Sequence, residues 1–140
     1  MIHRYTQQQD TDIHDVIECL IDMFKCDPST TGCEGRTILH YASYKGHIKL
    51  VDVLLKKYQM NPLSNDNNGN NFLHYAVHGD RKELVKVIIN KKSTPNYCNS
   101  HYIHMTIDCR NNHNQSPLDV ACSNGHFSIA KFLVIKINMA

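Results

Sequence analysis

The fold of this chain is decided by the stretch GRTILHYA at residues 35–42, which recurs 34 residues later as GNNFLHYA at residues 69–76. The apolar run LVDVLL at 50–55 recurs at the same spacing as LVKVII at 84–89. A weaker copy of the first stretch, QSPLDVA at 115–121, follows at an offset of 45 residues. A fixed period of this size indicates a repeat protein, in which each short unit buries its apolar face against its neighbours.

Each unit is predicted to contain a short helix, a tight turn and a longer helix. The residues that can cap the first helix, by accepting from its unpaired backbone N–H groups, are Thr37, Asn71 and Ser116. The second helix, over about 48–57, carries one broad apolar face. No glycine follows that helix, so Asn61-Pro62 is expected to break it.

These motifs resemble the ankyrin-repeat family, in which Thr-Pro-Leu-His-x-Ala opens the first helix of each unit. The matching segments are TILHYA at 37–42, NFLHYA at 71–76 and SPLDVA at 116–121. The resemblance implies an all-α solenoid of stacked helix-turn-helix units joined by β-turn or hairpin loops. It also implies that His40 and His74 are structural, bonding the loops between neighbouring units. The residues with an implied structural role in the repeat are Gly35, Thr37, Leu39, His40, Ala42, Gly46, Gly69, Leu73, His74, Ala76, Ser116, Pro117, Leu118, Ala121 and Gly125.

A single ankyrin-repeat domain is expected over residues 1–140. Its predicted parts are a partial N-terminal repeat or cap at 1–28, repeats at 29–62 and 63–92, an insertion loop at 93–106 and a C-terminal repeat at 107–140. The first unit lacks the opening motif, and the last helix is apolar with no polar closing repeat after it. We therefore expect a monomer or a part of a longer array.

Composition and motifs argue against several classes of function. The sequence contains no Gly-rich phosphate loop and no Gly-x-Ser-x-Gly, so no enzymatic activity and no cofactor are expected. It has no run of five like charges and no apolar stretch of the roughly 18 residues that a membrane helix needs, so neither nucleic acid nor membrane is an expected partner. Six cysteines without a secretory signal are expected to be reduced thiols of a cytoplasmic or nuclear protein.

The expected function is binding of another protein through the turn tips and the inner faces of the first helices, as the resemblance implies. The candidate contact residues in the sequence are Tyr44, Lys45, Asn67, Asn70, His78 and Asn112, with Val77 as a further position on the inner helix. An alternative is a stand-alone inhibitor of a transcription or signalling factor. A third hypothesis is a metal-dependent or catalytic insertion, in which zinc would be held by residues from the set Cys98, His101, His104, Cys109 and His113.

Overall fold

The computed structural model describes residues 31–89 and 107–139, together with Ile17. The insertion loop and, apart from Ile17, the N-terminal cap lie outside these residues. A 3-10 turn at Cys33–Gly35 precedes six helices: α1 (Ile38–Lys45), α2 (Ile48–Lys56), α3 (Phe72–His78), α4 (Lys82–Ile89), α5 (Pro117–Ser123) and α6 (Phe127–Met139). The described ranges contain no strand, and the prediction of an all-α array of helix pairs is confirmed.

The first helices of the second and third pairs, α3 and α5, begin at reciprocal caps. Asn71 Oδ1 accepts from the His74 N–H at 3.0 Å, while the Asn71 N–H donates to His74 Nδ1 at 3.1 Å. Ser116 and Asp119 form the same exchange before α5, at 3.3 and 3.0 Å. Each pair of bonds satisfies two backbone donors that a helix start would otherwise leave open. Local sequence therefore sets where α3 and α5 begin.

The helix pairs stack through their first helices. α3 packs against α1 on one side and α5 on the other, and each of these helices also packs against its own second helix. The core runs through all three units, from Leu39 and Leu54 through Phe72 and Leu84 to Leu133, each of which is at most 1% exposed. Since no single pair encloses its apolar side chains, the stability of each unit depends on its neighbour.

The second helix of the first unit ends differently from the prediction. α2 stops at Lys56, five residues before Asn61, so the expectation that Asn61-Pro62 breaks it is wrong. Gln59 adopts the left-handed conformation (φ 52°), and the following Met60 N–H donates to the carbonyl of Leu54 at 3.0 Å. The buried Met60 side chain then anchors the turn in the core. Gln59 thus ends the helix in the left-handed conformation that a glycine usually adopts at this position.

The tight turn between the two helices of each unit contains one residue in the left-handed conformation. Gly46 and Gly125 take left-handed φ values of 75° and 73°. In the middle unit, Asp80 occupies the left-handed position instead (φ 57°), and Gly79 precedes it. A Cβ atom on Gly79 would lie 2.4 Å from the carbonyl oxygen of Tyr44, so the absence of a side chain allows α1 and α3 to approach closely.

The last helix exposes apolar side chains. Phe127 is 74% exposed, and three further large apolar residues of α6 are also exposed, namely Val134, Ile135 and Ile137. The described part of the chain holds no helix long and apolar enough to cross a bilayer. The apolar surface of α6 is the one that a following unit would cover in a longer stack.

Candidate functional site

A groove of about 650 Å³ crosses the first helices of the three units. We call it the inner-helix groove. α1 contributes Tyr41, Tyr44 and Lys45, and α3 contributes His74, Tyr75 and His78. The remaining lining residues come from α5 and the loops: Arg36, Asn68, Asn70, Asn111, His113, Gln115, Val120 and Asn124. The groove therefore depends on all three units being stacked.

Four of the six residues predicted to contact a partner lie together in this groove: Tyr44, Lys45, Asn70 and His78. The rings of Tyr44 and His78 stack with their centroids 5.8 Å apart, and Lys45 Nζ lies 5.9 Å from the centre of the Tyr44 ring. Tyr44 is 38% exposed, so its ring remains available to a ligand. Tyr44, Lys45 and His78 lie at the C-terminal ends of α1 and α3, whereas Asn70 lies in the loop before α3.

The other two predicted contact residues lie outside the groove lining, at the turn tips. The Asn112 N–H donates to the carbonyl of Asn68 at 2.8 Å, and Asn112 Nδ2 donates to the carbonyl of Asn67 at 2.9 Å. The Asn67 N–H in turn donates to the carbonyl of Glu34 at 2.9 Å. Both asparagines are exposed, but their polar groups join successive loops to one another.

Val77 is not available to a partner. Its side chain is 0% exposed and belongs to the core, so the suggestion that it contacts a partner from the inner helix is wrong. Val77 immediately precedes His78, and successive helical residues point about 100° apart. His78 therefore faces solvent while Val77 faces the core.

A polar network that the sequence did not predict adjoins the groove. Arg36 Nε donates to the Tyr75 hydroxyl at 3.0 Å, and that hydroxyl donates to Asp66 Oδ2. Arg36 Nη2 also donates to the carboxylate of Glu34. The network joins the loop before α1 to helix α3 and to the next loop. In the sequence, a tyrosine follows the motif histidine in both copies, at Tyr41 and Tyr75. This repeat could have pointed to Tyr75, and also to Tyr41, which is 47% exposed.

The network shifts the ionisation of its members. Burial, and then the hydrogen bond to Asp66, raise the pKa of Tyr75 to about 12. Burial would raise the pKa of Asp66, but hydrogen bonds from Tyr75 and from the Asn70 and Asn68 N–H groups outweigh it and lower the pKa. The hydrogen bond to Tyr75 is the largest cause of the raised pKa of Arg36. At neutral pH the network holds a neutral phenol between a carboxylate and a guanidinium.

The two motif histidines join neighbouring units. His40 Nε2 lies 3.1 Å from the carbonyl oxygen of Ser64, and His74 Nε2 lies 3.0 Å from that of Gln115. A carbonyl oxygen only accepts, so Nε2 carries the proton and Nδ1 accepts the backbone N–H of the cap residue. Burial lowers the pKa of both imidazoles, which favours this neutral form.

The remaining motif residues lie in the cores and turns of the units. Leu39, Ala42, Leu73, Ala76, Pro117 and Ala121 are buried, and Leu118 is half-buried against the core. Gly35 and Gly69 take left-handed φ values at the loop tips. The Thr37 N–H donates to His40 Nδ1 at 3.0 Å. None of these residues offers a reactive group to the groove.

No metal centre is formed by the part of the chain that the structure describes. Residues 31–89 and 107–139 contain no cluster of three or more His, Cys, Asp or Glu side chains that could hold an ion. Of the set considered for zinc, Cys98, His101 and His104 lie outside those ranges, so that hypothesis concerns residues beyond the described ones. Burial raises the pKa of Cys109, which disfavours the reactive thiolate.

Two family models match the chain. One described as ankyrin repeats (3 copies) matches residues 3–99, and one described as ankyrin repeats (many copies) matches residues 73–134. The first match covers more than half of the sequence. No curated protein matches at a significant level.

Proposed function

Because the chain belongs to the ankyrin-repeat family, whose members are typically non-catalytic modules for protein–protein interaction, we propose that it binds a partner protein in the inner-helix groove. The observation that carries this proposal is the position of the exposed aromatic side chains. Tyr41 and Tyr44 are 47% and 38% exposed, and both line the groove. Tyrosine offers a large contact area at low conformational cost, which makes it frequent at interface hot spots.

Two further properties of the groove support binding of a macromolecule. Its walls are held by bonds between units, such as Arg36 to Tyr75 and Arg81 Nε to the carbonyl of Tyr44 at 2.8 Å. A surface fixed in this way loses little conformational entropy when a partner binds. The lining also combines rings with amide groups, so a partner can be both packed against and hydrogen-bonded.

The test compares the full chain with a groove variant, Tyr44→Ala combined with His78→Ala. Both side chains are exposed and outside the core, so the helical circular dichroism spectrum should be unchanged. Proteins captured from cell extract by the parent chain should be lost by this variant. A variant of the second helix, Lys49→Ala, alters an exposed residue outside the groove and should retain them.

If the groove variant captures the same proteins as the parent chain, the binding site is elsewhere. The exposed apolar surface of α6 would then be the next surface to test. If the groove variant loses about 2 kcal/mol of binding free energy, the threshold for a hot spot, its partner binds roughly thirtyfold more weakly. This difference can be measured once one captured protein is purified.

A further inference from the structure

The charged groups of the inner-helix groove are of one sign. Its lining includes the cations of Arg36 and Lys45, and no Asp or Glu is among the described residues that form it. The nearby carboxylates are already engaged: Asp66 accepts from the Tyr75 hydroxyl, Glu34 pairs with Arg36, and Asp119 pairs with Arg110 at 3.2 Å. Within residues 31–89 and 107–139, no carboxylate pairs with Lys45. Of the two lining cations, Lys45 is therefore the one that no carboxylate of the described ranges neutralises.

Two amide side chains of the groove, those of Asn70 and Gln115, present donors. Asn111 Nδ2 donates to Asn70 Oδ1 at 2.9 Å and to Gln115 Oε1 at 3.2 Å. These bonds use the side-chain acceptors of Asn70 and Gln115 and leave the NH₂ group of each as a donor. Across the described ranges, neither NH₂ group has a hydrogen-bond partner. Asn70 and Gln115 therefore each present a side-chain donor to the groove, which suits a ligand with acceptor oxygens.

The size of the groove limits the length of such a ligand. It crosses α1, α3 and α5, which pack side by side. Adjacent packed helices lie about 8–10 Å apart, so the groove spans roughly 16–20 Å. An extended peptide advances about 3.3 Å per residue, which gives a bound segment of about five or six residues. Its side chains would alternate between the tyrosine rings and the donor-lined walls.

From these observations we propose that the groove recognises a short, extended, carboxylate-rich segment of the partner protein, with Lys45 facing its acidic side chains. This inference rests on the proposed function, since it specifies the partner of the same groove. The ligand carboxylates accept from the Lys45 ammonium group and from the NH₂ groups of Asn70 and Gln115, and the Tyr41 and Tyr44 rings pack against the intervening residues. Charge-assisted bonds of this kind are stronger than neutral ones and select acidic partners over neutral ones.

The test selects peptides from a random displayed library on the full chain and measures the selected peptides by fluorescence anisotropy. The selected peptides should be enriched in Asp and Glu, and their binding should weaken as the salt concentration rises. Lys45→Glu should weaken binding by about five- to tenfold, since reversal removes one attraction and adds one repulsion. Lys49→Glu makes the same charge change outside the groove and should have little effect.

The outcomes separate this inference from the proposed function. If selected peptides are neutral or basic but lose binding in the Tyr44→Ala, His78→Ala variant, the groove binds proteins and the acidic specificity is wrong. If acidic peptides bind that variant and Lys45→Glu as well as the parent, both proposals fail. Failure to select any peptide also overturns the inference. Because salt dependence is measured on the unaltered chain, the inference can be refuted even if Lys45→Glu does not fold.

Discussion

Replacement of His74 by leucine tests how neighbouring units are joined. His74 is 2% exposed, accepts from the Asn71 N–H through Nδ1, and donates through Nε2 to the carbonyl of Gln115. Leucine fills the space without either polar atom. The Asn71 N–H, in a fully buried residue, would lose this acceptor at a cost of about 1–3 kcal/mol. The Gln115 carbonyl still accepts from the Asn111 N–H, so its loss is about 0.5–1.5 kcal/mol.

The sum predicts that His74→Leu destabilises the protein by about 1.5–4.5 kcal/mol, which for a domain of this size lowers Tm by roughly 5 to 18 °C. Thermal unfolding followed by circular dichroism measures this change. The matched control is His78→Leu, which makes the same replacement one turn later on α3 at an exposed position. If the two variants melt within about 2 °C of each other, the imidazole does not join the units and the reasoning fails.

The remaining predictions concern pH and close packing. Burial lowers the pKa of His40 and His74 below the ordinary 6.5, so the unfolded chain takes up protons first as pH falls. Stability should be complete above about pH 6.5 and fall below it by up to about 1.4 kcal/mol per pH unit for each histidine. Urea midpoints measured from neutral to mildly acidic pH should show this loss, with a shallower slope in His74→Leu; a pH-independent midpoint would contradict it. Gly79→Ala places a Cβ against the Tyr44 carbonyl and should cost about 1–3 kcal/mol by urea unfolding, without any strain from positive φ. As a control, the Cβ of Gly125→Ala meets no atom within 4 Å, so this variant measures only the cost of a left-handed alanine, about 1 kcal/mol. If Gly79→Ala loses less stability than Gly125→Ala, the close contact with Tyr44 is disproved.

The sequence by itself determined the repeat, the helix pairs and the starts of the first helices. These features depend on local signals: a 34-residue period, apolar residues at helical spacing, and a cap residue followed three positions later by its partner. Such signals act between residues close in the chain. They therefore predicted Asn71 and Ser116 as cap residues, and these are the residues that cap α3 and α5 in the structure.

The tertiary structure decided which side chains face the groove and which join the units. Val77 and His78 are adjacent in sequence, yet only the packing of α3 between α1 and α5 determines that the first is buried. The sequence predicted Asn112 as a contact residue, and only the structure shows that its side-chain amide donates to the carbonyl of Asn67, 45 positions earlier. Arg36 donates a hydrogen bond to Tyr75, which lies 39 positions later in the sequence. These contacts depend on how one unit is positioned on the next, and the sum of many small packing terms that sets this position leaves no local pattern in the sequence.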